Sequence, residues 1–143
     1  MNTSNFTPVE NCAVLPSFHD AELISVEHDP AARSLVLQLK RASGPVETLL
    51  FSGVVAQRMI DFADQNVASR LLISPMHSFS VDDLFAWVRW MYSRDDAKAP
   101  EPSRTIIERF HRDVIDGRKA LFILEPSCGA EMAVLCESVS ILT

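Results

Sequence analysis

Five consecutive apolar residues at 120–124 (ALFIL) limit what this chain can fold into more than any other segment. An unbroken apolar run of strand length reads as a strand covered on both faces, so other elements must pack above and below it. PSCGA (126–130) then turns the chain, and MAVLCESVSIL (132–142) reads as one long final strand.

Two helices precede that run. Residues 80–93 carry Val81, Leu84, Phe85, Val88 and Met91 at helical spacing, with Ser80 placed to cap the first turn and Asp83 at the third helical position, where the helix dipole favours a carboxylate. Residues 104–116 open after Pro102-Ser103, align Ile106, Ile107, Phe110 and Val114 on one side, and stop at Gly117. The polar segment between them, SRDDAKAPEP (93–102), reads as an exposed loop.

The front of the chain reads as an antiparallel meander. Residues 1–17 form a mostly irregular lead-in. Strands follow at 20–28, where Ile24 and Val26 alternate, and at 34–41, where Leu35, Leu37 and Leu39 share a face. DPAAR (29–33) and ASGP (42–45) turn the chain, and 46–52 (VETLLFS) gives a third strand. Residues 53–73 read two ways. Val55, Met59, Phe62, Ala63, Val67 and Leu71 fit a helical stripe, while the β-branched content and Gly53 fit bent strand or loop. The expectation favours some helix in the middle and a strand near 71–74. The whole predicts an α+β fold: one domain over 1–143, an antiparallel β-sheet with two main helices packed on one face.

Composition narrows the function classes. A net charge of -6 disfavours neutralisation of nucleic-acid phosphates and suits steering toward a basic partner. No apolar run approaches the roughly 20 residues that cross a bilayer, and the N-terminus lacks a basic or apolar leader pattern, so a cytoplasmic protein is expected. The three cysteines, Cys12, Cys128 and Cys136, match no zinc or redox spacing, which predicts free thiols and no metal. No glycine-rich phosphate loop exists, and no cofactor is expected.

The stretch PSFHDAELISVEHD (16–29) holds two His-Asp pairs. On one extended strand His19 and His28 face opposite sides about 30 Å apart, so they cannot share a metal ion. His19 and Asp20 read either as a strand-start motif or as an acid–base or ligand pair working with residues from elsewhere. Cys128 beside Gly129 is a candidate nucleophile without an identifiable histidine. Trp87 and Trp90 lie on a helix apolar over most of its circumference, so they read either as core or as interface anchors.

Three segments, FHDAELISVEHDPAARSLVLQL (18–39), QNVASRLL (65–72) and EPSCGAEMAVLCESVSI (125–141), resemble small bacterial proteins of the immunity type, encoded beside toxins of contact-dependent, type VI or Rhs-like systems. The resemblance implies a non-catalytic cytoplasmic inhibitor of one cognate toxin. It carries over no catalytic residue. Within it His19, Asp20, Asn66 and Gly129 look like scaffold, and partner binding falls to exposed residues: Asp82, Asp83, Asp95, Asp96 and Glu101, with Trp87 and Trp90, facing a basic toxin surface. The competing reading is a small enzyme or ligand-binding domain built on His19 and Asp20 or on Cys128.

Overall fold

The computed structural model describes residues 5–98 and 100–142. Its strands are β1 (Phe6–Pro8), β2 (Glu22–Asp29), β3 (Ser34–Lys40), β4 (Val46–Ser52), β5 (Ala56–Ile60), β6 (Val67–Ile73), β7 (Ala120–Cys128), β8 (Glu131–Cys136) and β9 (Ser138–Leu142). The helices are α1 (Val81–Tyr92) and α2 (Arg104–Ile115). The strands form one antiparallel sheet in the order β1-β9-β4-β3-β2-β6-β7-β8-β5. The expected α+β architecture is therefore present.

That order hides a simpler design. β4 and β5 are separated by only three residues, and β8 and β9 by Glu137 alone. β4 pairs with β9, while β5 pairs with β8. Two long bent ribbons thus run antiparallel and belong to two half-sheets at once. At the bend the Glu137 N–H donates to the carbonyls of Ser52 and Gly53, at 3.0 and 3.2 Å. Strands that switch sheets at a corner let two half-sheets fold over a common core. Leu35, Leu37, Leu39, Leu49 and Phe51 from one half meet Phe122, Leu124, Met132 and Val134 from the other. The Phe51 and Phe122 rings touch edge to face across this core, with centroids 4.8 Å apart.

The 120–124 run does face two ways. Phe122 and Leu124 point into that inner core, while Leu121 and Ile123 join Ala133 and Leu135 under α1 and α2. The helices contribute Leu84, Phe85, Val88, Met91, Ile107 and Val114 to this outer layer. Ser80 and Ser103 cap them, accepting from the N–H groups of Asp83 and Ile106.

Several expectations are corrected. The helix expected within 53–73 is absent: that stretch holds β5, a loop, and β6, which starts at Val67 rather than near residue 71. The helical spacing was coincidental, and Phe62 is 56% exposed. The long final strand breaks at Glu137 because its halves serve different half-sheets. The lead-in contains β1, paired to β9, and a 3-10 turn at Val9–Asn11 that buries Val9; residues 1–4 of it lie outside the described residues. In β2 a bulge between Leu23 and Ser25 breaks the alternation. Leu23 and Val26 therefore face the core, and Ile24 is exposed.

One junction closes the fold between β2 and β6. Asn66, 4% exposed, accepts at Oδ1 from the N–H groups of Ala63 (2.9 Å) and Ala130 (3.0 Å) and donates through Nδ2 to the Ala63 carbonyl (2.7 Å). Its own carbonyl accepts from the Leu23 N–H at 2.8 Å. Gly129 completes the junction at φ 75; a Cβ there would stand 2.3 Å from the Gln65 carbonyl oxygen. Gly129→Ala is expected to cost about 2 kcal/mol or more, from left-handed strain and collision together. Asn66→Ala should cost about 1–3 kcal/mol by stranding a buried N–H. Urea unfolding curves check both, and a wild-type midpoint for either variant would remove the junction from the list of what holds the fold.

Candidate functional site

The residues singled out as a partner surface lie on or beside α1. The helix has 12 residues, so its ends stand about 18 Å apart. Asp82 and Asp83 occupy its first turn and are exposed; Asp95 and Asp96 follow its last turn. The acidic residues therefore make two separate groups, one at each end, and Glu101 lies exposed further along the loop. Near the first group Arg89 and Arg104 both stack over the Phe85 ring, at 5.6 and 5.2 Å. Near the second, Arg94 bonds to Asp96 and holds its carboxyl below the usual range.

Trp87 and Trp90 are half-buried, one turn apart, and meet edge to face at 5.6 Å. Each packs against the outer core while keeping part of its surface in solvent. The residue that organises this region is Arg58 on β5, which the sequence reading passed over. Its side chain is 14% exposed, its guanidinium lies 4.8 Å over the Trp90 ring, and it pairs with Asp95 at 3.0 Å. It also donates to the Trp90 carbonyl (3.2 Å) in the last turn of α1 and to Oγ of Ser93 (2.6 Å), which follows the helix. A cation there adds to the bonds on that carbonyl and opposes the negative end of the helix dipole. Its only sequence signal was an arginine beside Met59 and Ile60 in a short stretch without motif.

The His-Asp pairs separate. His19 Nδ1 stands 3.2 Å from Asp20 Oδ2, with the histidine side chain 70% exposed. A strand-start motif would bury His19 in part and set the Asp20 carboxylate on backbone N–H groups; His19 is instead exposed. The structural role of Asp20 lies in its backbone, at φ 62, whose N–H donates to the Ala68 carbonyl at 2.9 Å. Asp29 accepts from the Ala32 N–H in the first hairpin turn. Because β2 starts at Glu22, His19 is not on the same strand as His28. Among the described residues no three His, Cys, Asp or Glu side chains converge in metal-binding geometry.

His19 does border a cleft of about 450 Å³, with Leu15, Phe18, Arg70, Leu71, Met76 and His77 among its walls. Arg70 is held there by a two-point bond to Glu125, at 2.7 and 3.1 Å, which also raises its pKa. Cys128 is exposed and bonds weakly to the Gln65 carbonyl. Cys136 is buried between Ala120 and Ser138, and that burial pushes its thiol up to about 12.

Among the described residues no helix is long and apolar enough to cross a membrane. Comparison with protein families, curated proteins and solved structures gives no match.

Two outcomes are expected. Arg58→Met should lower stability by about 1 kcal/mol, since it removes the cation that bonds the Trp90 carbonyl and Ser93 Oγ at the negative end of α1, and should shift tryptophan emission because the ring beneath it loses its cover. Unchanged emission together with an unchanged melting curve would contradict the capping role. Iodoacetamide should label Cys128 readily in native protein and Cys136 only after unfolding. The raised Cys136 pKa favours the native state fully below the ordinary thiol value of 9.0, and that contribution is lost as pH rises toward about 12. Peptide mapping of labelled protein reads the order of modification.

Proposed function

We propose that the protein is a non-catalytic binding protein of the immunity type, which neutralises a cognate bacterial toxin by covering a basic surface on it. The observation that carries this reading is the Trp87–Trp90 pair: two large aromatic rings left partly exposed on an outer helix. Tryptophan is enriched among the anchors that dominate protein interfaces. Arg58 fixes the Trp90 ring in place, so less freedom is lost when a partner packs on it. Carboxylates flank the pair at both ends of α1 and supply charge for steering a basic partner. The resemblance of the 18–39, 65–72 and 125–141 segments to immunity-type proteins agrees with this, because those segments build the sheet and the Asn66 junction and leave α1 outside them.

A second reading, a small ligand-binding domain or enzyme using His19 and Asp20, draws on the cleft that His19 borders. The Cys128 version has less support, since among the described residues that thiol bonds only to a backbone carbonyl.

The test uses the product of a toxin gene adjacent to the one encoding this chain. The two proteins should co-purify. Trp87→Ala should raise the dissociation rate by the equivalent of about 2 kcal/mol, with the fold retained. Asp82→Lys with Asp83→Lys should slow association and flatten its salt dependence, because steering acts through screened long-range fields. If both variants stay folded and bind at wild-type rates at low and high salt, α1 is not the interface.

A further inference from the structure

The two outer edges of the sheet are guarded. β1 is three residues long and ends in Pro8, and short or proline-bearing edges resist strand addition. β5, at the opposite end, is tied to α1 by Arg58. The inner seam differs. β6 has seven residues, yet its register with β2 is one pair, Glu22↔Val67. The bonds from the Leu23 N–H to the Asn66 carbonyl and from the Ala68 N–H to the Ala21 carbonyl (both 2.8 Å) flank that pair, and one more, from the Asp20 N–H to the Ala68 carbonyl (2.9 Å), extends the contact. There Asp20 leaves the extended conformation at φ 62, and the lead-in parts from β6. The cleft opens in the gap, with residues 15–19 on one wall and 69–73 on the other.

Backbone groups face into that gap. The Ser74 N–H donates to the Leu121 carbonyl, and β6 and β7 stay in register from Arg70 to Ile73. Bonding direction alternates along an antiparallel strand. Arg70, Leu72 and Ser74 thus engage β7, while Leu71 and Ile73 turn their N–H and C=O groups toward the cleft. The Ile73 carbonyl is taken by the His77 N–H at 2.9 Å. The Leu71 N–H and C=O and the Ile73 N–H remain, in the spacing one added strand would use.

We infer that this edge of β6 is a docking site for an extended peptide segment of a partner protein, which adds as a strand and places a carboxylate side chain beside Arg70. The backbone groups select an extended chain, because strand addition draws its affinity from main-chain bonds. Leu15, Phe18, Leu71 and Met76 offer apolar contact to alternate side chains of that chain. The nitrogen groups come from the same lining, from His19, Arg70 and His77, with Asp20 paired to His19 and Glu125 paired to Arg70 beside it. Arg70 spends Nε and one terminal nitrogen on Glu125, which orients the guanidinium and leaves its other terminal nitrogen for a partner. The site flanks β6, across its half-sheet from β5 and α1, and does not rest on the toxin-binding reading.

The probe is an array of capped octapeptides that alternate valine with polar residues and carry aspartate, asparagine or lysine at one central polar position. Fluorescence polarisation against the intact chain measures affinity, and amide hydrogen exchange locates the contact. The aspartate series should bind at least about tenfold more tightly than the lysine series, and the Leu71 and Ile73 amides should become protected. N-methylation of one alternating set of peptide amides should abolish binding, and of the other set should not. Arg70→Leu should erase the aspartate preference and keep residual binding. Leu71→Pro should lose binding; where that variant fails to fold, the exchange measurement on unaltered protein decides. The inference is overturned if no peptide saturates below about 1 mM, or if binding leaves both amides exchanging as in free protein. It is also overturned by an aspartate preference indifferent to N-methylation, which marks a small-anion site. A concentration-dependent dimer protecting the same amides without peptide would assign the edge to a second copy instead.

Discussion

Asn66 ties together three pieces of chain through its side chain and its backbone. One oxygen accepts from the loop before β6 and from the turn between β7 and β8, while the backbone of the same residue accepts from β2. Gly129 must approach so closely that a Cβ would overlap the neighbouring carbonyl. The junction stands where the two half-sheets share one ladder pair. On the far side the half-sheets are continuous through the bent ribbons. The seam therefore depends on a few directed bonds, and buried bonds of this kind are costly to leave unmade.

Much of this architecture was legible in the sequence. The alternation of Leu35, Leu37 and Leu39 fixed a strand, and the unbroken run at 120–124 required cover on two faces. The serine caps and apolar spacing placed both helices. These signals are local, and each rests on side-chain periodicity or on one hydrogen bond to the backbone. What failed was not local. β5 carries half-buried residues throughout, so it lacks the alternation that marks a strand. Glu137 looks like one more residue of a continuous strand until its partner, also bent, is known. The bulge in β2 is set by the need to bring both Leu23 and Val26 inward.

The candidate sites divide along the same line. Asn66 and Gly129 stood out as scaffold: Gly129 sits in left-handed backbone at φ 75, and Asn66 works through its buried amide in the irregular loop before β6. Asp20 stood out through its carboxylate, yet its backbone matters more. Arg58 and Arg70 gave no motif, because their importance comes from what the tertiary fold brings beside them: a helix end for one, an open strand edge for the other.

The bent ribbons also set an order of events for a chain made from its N-terminus. β4 needs β9, and β5 needs β8, across some of the longest sequence separations in the molecule. Closing such loops costs entropy before any contact rewards it. β2, β3 and β4 can form their meander early, but the leucines on its inner face gain their opposing layer only when β7 and β8 arrive. Until then the nascent protein presents an apolar sheet face and a free β4 edge together, the combination most prone to pairing with a neighbouring chain. The last strands to be synthesised are therefore the ones that make the first strands safe.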